Sequence, residues 1–115
     1  MPSEKFPGGL RAPIGTFVVG PLGTIEGVDD GACRLLGYTE AELVGLHGSE
    51  LIPPQARGST AVSLDRMRRS ELAVNNGAML RQDGSVIPVE VSGRPLGDGR
   101  LELCVRALPE AAPQR

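Results

Sequence analysis

With 115 residues the chain has room for one domain and one core, and not for a second domain. A formal net charge of −2 leaves no surplus of Lys and Arg for nucleic-acid phosphates, and no apolar stretch approaches the roughly 20 residues that cross a bilayer. Neither nucleic acid nor membrane is therefore an expected partner, the first 13 residues lack the apolar middle of a signal peptide, and a cytoplasmic location is the expectation.

Residues 1–13 mix Pro, Gly and charge and read as a connector. Ile14 to Val19 is a β-branched and aromatic run, Pro21-Leu22-Gly23 a turn, and Thr24 to Val28 a second strand. Asp29 or Asp30 can cap a short helix from Gly31 to Leu36, which Gly37 closes in a left-handed conformation. Thr39-Glu40-Ala41-Glu42 has the form of a capping box and predicts a helix from Glu40 to about Val44. Gly45 and Gly48 interrupt it, Ser49 is a candidate cap for one further turn, and Pro53-Pro54 resets the backbone. A longer helix follows, from about Gln55 to Arg69, with Arg57, Ala61, Leu64 and Met67 or Arg68 on one stripe.

The second half changes period. Leu72 to Arg81, Val86 to Leu96 and Arg100 to Ala107 are extended runs joined by Asp83-Gly84 and Asp98-Gly99, pairs that suit type I′ hairpin turns. Ile87, Val89 and Val91 alternate with Glu90 and Ser92, while Leu101, Leu103 and Val105 alternate with Glu102 and Arg106, giving each strand a dry and a wet face. Pro88 and Pro95 suit a bulge or a strand end. Residues 108–115 carry Pro109 and Pro113 and read as a second connector. The pattern is α+β: two strands, several short helices, three strands.

Phe6, Phe17 and Tyr38 are the only aromatics, so the core is expected to be aliphatic. Cys33 and Cys104 lack metal-ligand spacing and are expected to be reduced and buried. Arg66, Arg68 and Arg69 are expected to form a solvated helix face rather than a phosphate site.

Leu35-Leu36-Gly37-Tyr38-Thr39-Glu40-Ala41-Glu42-Leu43-Val44-Gly45, followed by Leu51-Ile52-Pro53-Pro54, resembles the helical segment of PAS domains. Arg81 to Ser92, with its Asp83-Gly84 turn, resembles the hairpin of their third and fourth strands. The resemblance covers residues 14–107. It implies one five-stranded antiparallel sheet in the order 2-1-5-4-3, with short helices packed on one face and a pocket between. Where many relatives have Asn before the first helix this chain has Asp29-Asp30, and Asp makes the same turn.

Relatives that bind haem offer a His from the long helix, and Gln55 to Arg69 has none. His47 is the sole imidazole and is expected to be a solvated loop residue. Relatives with a photoactive flavin carry a Cys on a later helix and amides on the third and fourth strands. Here Cys33 belongs to the first helix, and the amide positions hold Met79 and Val89. Neither haem nor photoactive flavin is expected. No nucleophile–base set is visible among the scattered carboxylates, so the chain is not expected to be an enzyme.

The third strand is ambiguous. Hydrophobicity turns Leu72, Val74, Ala78 and Leu80 inward together with Asn76, whereas the family count turns Asn75, Gly77 and Met79 inward. The second register would put Leu72, Val74 and Leu80 on the outer sheet face as an apolar patch for a partner. The pocket candidates are Leu64, Met67, Asn75, Asn76, Met79, Val89, Val91 and Leu103. The implied role is a signalling module, expected as a homodimer, that regulates an effector such as a histidine kinase, with a small apolar ligand or, alternatively, as a ligand-free interaction domain. No effector sequence accompanies it. The reading is a fragment of a larger signalling protein or a stand-alone domain acting in trans, and the two connectors favour the fragment.

Overall fold

The computed structural model describes residues 14–109. Strands β1 (Ile14–Val19), β2 (Ile25–Val28), β3 (Val74–Leu80), β4 (Val86–Gly97) and β5 (Arg100–Ala107) form one antiparallel sheet in the order β2-β1-β5-β4-β3. Helices α1 (Asp30–Leu36), α2 (Glu40–Leu43) and α3 (Arg57–Arg68), with 3-10 turns at Gly48–Leu51 and Pro54–Ala56, link β2 to β3 and cover one face. The connector expected at 1–13 lies outside the described residues, as does the one expected at 108–115 apart from Leu108 and Pro109.

Alternation places the core where the sequence puts it on β4 and β5. Ile87, Val89, Leu101, Leu103 and Val105 are buried beside Phe17, Val19, Ile25 and Met79, against Ala32, Leu35, Leu36, Leu43, Leu51, Ile52 and Met67 from the helical segment. Phe17 is the one aromatic among these buried side chains, so the core is aliphatic as expected. Val91, in the same row, is half-buried.

On β3 the family count is correct. Met79 is buried opposite Ile87 and Asn75 faces inward opposite Val91, whereas Asn76 is exposed on the outer face. Hydrophobicity pointed the wrong way, because Val74, Ala78 and Leu80 share the outer face with Asn76 while the inner phase holds Asn75 and Gly77 beside Met79. The expected outer apolar patch is not formed by those three residues. Leu72 packs partly against the core, Leu80 is half-buried, and only Val74, at 48%, is exposed. Cross-strand ion pairs occupy the middle of that face, with Arg106 Nη2 2.7 Å from Glu90 and Arg94 Nη2 2.6 Å from Glu102. Being solvent-accessible, each contributes at most about 1 kcal/mol.

Only one of the two Asp-Gly turns has both central residues left-handed, Asp98 (φ 50°) and Gly99 (φ 86°). At the other, Gly84 N–H donates to the Arg81 carbonyl and Gly84 alone has positive φ, so the central residues are Gln82 and Asp83. Asp83 Oδ1 accepts from the Ser85 N–H and hydroxyl and holds that turn. The β1–β2 turn repeats this hydrogen-bond pattern with Gly20 and Gly23 in the places of Arg81 and Gly84. Pro95 sits at a register shift, as expected, but Pro88 makes none. Its carbonyl accepts from Leu108 N–H on the β5 side, so its missing donor points past the end of β5 and costs no ladder bond.

Asp29, rather than Asp30, caps α1. Its Oδ1 accepts from the N–H groups of Ala32 and Thr16, both at 2.9 Å, while its own N–H donates to the Thr16 carbonyl. The cap thus also ties α1 to β1. Desolvation pushes the Asp29 carboxyl up, but the N–H groups of Thr16 and Ala32 outweigh it and hold the pKa below the ordinary aspartate value. A depressed folded pKa gives stabilisation that is complete above the unfolded value of about 4 and is lost as pH falls through the folded one. Asp29→Ala is expected to cost about 1–2 kcal/mol at neutral pH, with the deficit shrinking below about pH 4. Urea titrations at several pH values check this, and a pH-independent difference would contradict the assignment.

The Thr39–Glu42 capping box forms as expected, with Glu42 N–H donating to Thr39 Oγ1 and Thr39 N–H to Glu42 Oε1. A second box was not foreseen. His47, not Ser49, caps the turn Gly48–Leu51. Its Nδ1 accepts from Ser49 N–H, and Glu50 Oε2 accepts from His47 N–H. Nε2 lies 2.9 Å from the Leu22 carbonyl and must donate to it, which assigns the neutral Nε2–H tautomer. The ring is exposed, yet it is a strut between this turn and the β1–β2 hairpin rather than a free loop side chain.

Two further expectations change. Arg66 and Arg69 pair with Glu71, and Arg69 also pairs with Asp65, but Arg68 is half-buried and committed to backbone. Its Nε donates to the Gly99 carbonyl and its Nη2 to the Gly20 carbonyl, pinning the end of α3 to two hairpins. Cys33 is half-buried, and desolvation, followed by the charges of Asp30 and Glu40, raises its pKa. Cys104 is exposed on the wet face with Glu102 and Arg106, where the alternation of β5 puts it.

Candidate functional site

The long helix expected from Gln55 to Arg69 is split, because Pro54 starts a tight 3-10 turn and α3 begins only at Arg57. Both ends of α3 are tied down. At its start Arg57 Nε donates to the Ser49 and Ile52 carbonyls, at 3.0 and 3.1 Å, and at its end Arg68 makes the two bonds described above. Met67 is its single buried residue and lies over Gly93 of β4, where a Cβ would stand 2.5 Å from Met67 Sδ. A glycine there lets the helix end descend onto the sheet.

Between these anchors α3 does not fill the space beneath it. A cavity of about 130 Å³ remains, roofed by Thr60, Ser63 and Leu64 and floored by the inner faces of β3, β4 and β5. Of the pocket candidates, Leu64, Met67, Asn75, Met79, Val89, Val91 and Leu103 all line it, and Asn76 does not. Sequence reasoning missed Thr60, Ser63 and Val105, with Phe17 and Ile25 from the other edge. Thr60 and Ser63 precede Leu64 and Met67 at helical spacing, and Val105 continues the row of Leu103, so both were within reach of periodicity.

The walls are largely apolar, and most polar groups at the rim already bond one another. His47 Nδ1 lies 2.8 Å from Ser49 Oγ. This pair is a cap and not a nucleophile with its base, because Nδ1 also takes the Ser49 N–H and Nε2 faces a carbonyl instead of a carboxylate. Among the described residues no group of three or more His, Cys, Asp and Glu side chains is placed to hold a metal ion, and no helix is long and apolar enough to cross a membrane. What the arrangement can do is hold a small molecule between α3 and the sheet.

An antiparallel sheet in this order, with short helices on one face over an apolar cavity, defines an α+β domain with a ligand-sized space between its layers. The profile of the PAS domain family matches residues 13–107, and the chain belongs to that family. It is similar to a domain of a sensory box sensor histidine kinase/response regulator from Geobacter sulfurreducens, at 27% identity and a TM-score of 0.70, covering 83% of this chain and 82% of that one. The PAS domain of an HTR-like protein from Haloarcula marismortui has 26% identity and a TM-score of 0.65, with coverages of 84% and 80%. The PAS domain of a LuxR-family transcriptional regulator from Burkholderia thailandensis, solved in complex with ethanol, has 20% identity and a TM-score of 0.67, with coverages of 84% and 90%. No curated protein matches the chain. The chain is a PAS sensory domain.

Proposed function

We propose that this domain, taken as residues 14–107, senses a small, mostly apolar molecule held under α3, and passes its occupancy to a linked or partner effector through the geometry of a homodimer. A histidine kinase, a cyclic-dinucleotide enzyme or a transcription regulator would serve as that effector. The observation that carries the reading is the apolar cavity between α3 and the sheet. A ligand-free interaction domain would pack that space solid. The likeness to a histidine-kinase domain, and to a regulator domain solved with ethanol, supports the same reading. A cavity near the 150 Å³ or so that holds benzene suits a single ring, not a porphyrin or the three fused rings of a flavin, and α3 carries no His.

Thermal denaturation of the full chain across a metabolite panel tests this. A true ligand at about a hundred times its Kd stabilises by about 2.7 kcal/mol, which raises Tm by roughly 10–20 °C. Light scattering at several concentrations reads the dimer. A panel without any shift, together with a crystal structure in which the cavity is closed, would overturn the sensing role, and a strict monomer would overturn the dimer.

A further inference from the structure

The chemistry of the cavity is narrower than "small and apolar". The polar side chains on its lining divide into two groups. His47 and Ser49 are committed to the Leu22 carbonyl and to each other, and Arg57 gives its Nε–H to the Ser49 and Ile52 carbonyls. Thr60, Ser63 and Asn75 are not, since among the described residues none of these three side chains makes a hydrogen bond although all line the cavity. Thr60 and Ser63 hang from the roof and Asn75 stands on the floor, opposite Val91.

Asn75 is the anomaly. It occupies the inward phase of β3 next to Gly77 and Met79, where an aliphatic side chain would pack, and an amide there lacks its usual partners. A half-buried amide without partners carries a desolvation cost that a ligand able to both give and accept a hydrogen bond would relieve. Charge is selected against. Arg57 is the one charged side chain on the lining; it is exposed at the first turn of α3, so water screens its guanidinium and it offers an anion only a weak surface pair. A carboxylate brought to Asn75 would exchange its hydration for one amide and two hydroxyls, a net cost.

We propose that the cavity selects an uncharged molecule, about the size of one six-membered ring, bearing a single hydroxyl or carbonyl that Asn75 recognises. The proposal rests on the reading of the cavity as a ligand site. Asn75 sets which molecule enters, and the aliphatic wall sets how tightly any molecule of that size is held.

Benzene, phenol and benzoate make a matched set of probes, titrated into the full chain and followed by amide NMR, including the Asn75 side-chain NH₂ pair. A wall that ignored polarity would prefer benzene, because phenol is the better hydrated of the two. The expected result is that phenol binds roughly three- to tenfold more tightly than benzene, the worth of one hydrogen bond, and that benzoate does not bind. Asn75→Leu is expected to reverse the preference, so that benzene binds more tightly than phenol. If that variant fails to fold, Ser63→Ala and Thr60→Val are expected to lower the phenol preference in part. Benzene bound as well as phenol, or benzoate bound most tightly, would overturn the selectivity and leave the ligand site standing. No response to any of the three would overturn the site itself, and the selectivity with it.

Discussion

Gly15→Ala is expected to destabilise the domain by about 3 kcal/mol, the upper end of the overpacking range, and to lower Tm by roughly 12–24 °C. A Cβ on Gly15 would stand 2.4 Å from Ala32 Cα and 2.5 Å from Ala32 N. These are backbone atoms of α1, so no side chain can swing aside. Relief would require lifting α1 off β1, which also pulls Asp29 away from Thr16 and uncovers Leu35 and Leu36. Gly31 meets β1 from the other side, with its Cβ position 2.0 Å from the Ile14 carbonyl oxygen. Gly58 supplies the control. It lies in α3 with nothing within 4 Å of its Cβ position, so Gly58→Ala is expected to stabilise by about 0.5 kcal/mol through helix propensity. Thermal and urea denaturation read both, and a Gly15→Ala protein within 1 kcal/mol of the parent, as an order of magnitude, would show that α1 is free to shift.

Met67→Ala is expected to cost about 2–4 kcal/mol, as other large-to-small core changes do. Met67 is 1% exposed and is the only buried side chain of α3, so the loss falls on the one apolar anchor of the roof. The effect should be local as well as global. Amides of α3 are expected to exchange faster by native-state hydrogen exchange, through partial openings that leave β4 and β5 protected. Equal acceleration across helix and sheet would mean that α3 opens only when everything does, and that it is no separate lid.

How much of this was legible depended on whether a segment had one dry face. Strands β4 and β5 did, and their alternation placed Val89, Leu103 and Val105 without ambiguity. Segment Val74–Leu80 did not. Its amides and its aliphatic residues fall on both faces, and only the resemblance to a family supplied the phase. Helix α3 was legible as a helix but not in its orientation, because a helix that roofs a cavity has little apolar stripe to show. Most of its residues between Arg57 and Met67 are exposed or half-buried. The long-range polar ties were hidden for a different reason. Arg68 to Gly20 spans 48 positions and His47 to Leu22 spans 25, and both end on backbone carbonyls, which every residue possesses. Cys104 is the avoidable miss, since the period of its own strand assigned it to the wet face.

The central pair of the sheet joins the first strand to the last, with Ile14 opposite Arg106 and Val19 opposite Leu101. During synthesis β1 and β2 therefore emerge as a hairpin with one long edge open, and β5, which closes it, is the last strand made. Contacts of such sequence separation slow folding, and the waiting edge is an adhesive one. The wait is unequal for the two sides of the hairpin. Ile25 N–H already donates to the Leu46 carbonyl and Gly45 N–H to the Ile25 carbonyl, so the far side of β2 is covered by chain that follows soon after it. Kinetic trouble in this domain should thus concentrate on β1, and a permuted chain that begins at β5 and runs on into β1 would be expected to fold faster while keeping the same sheet.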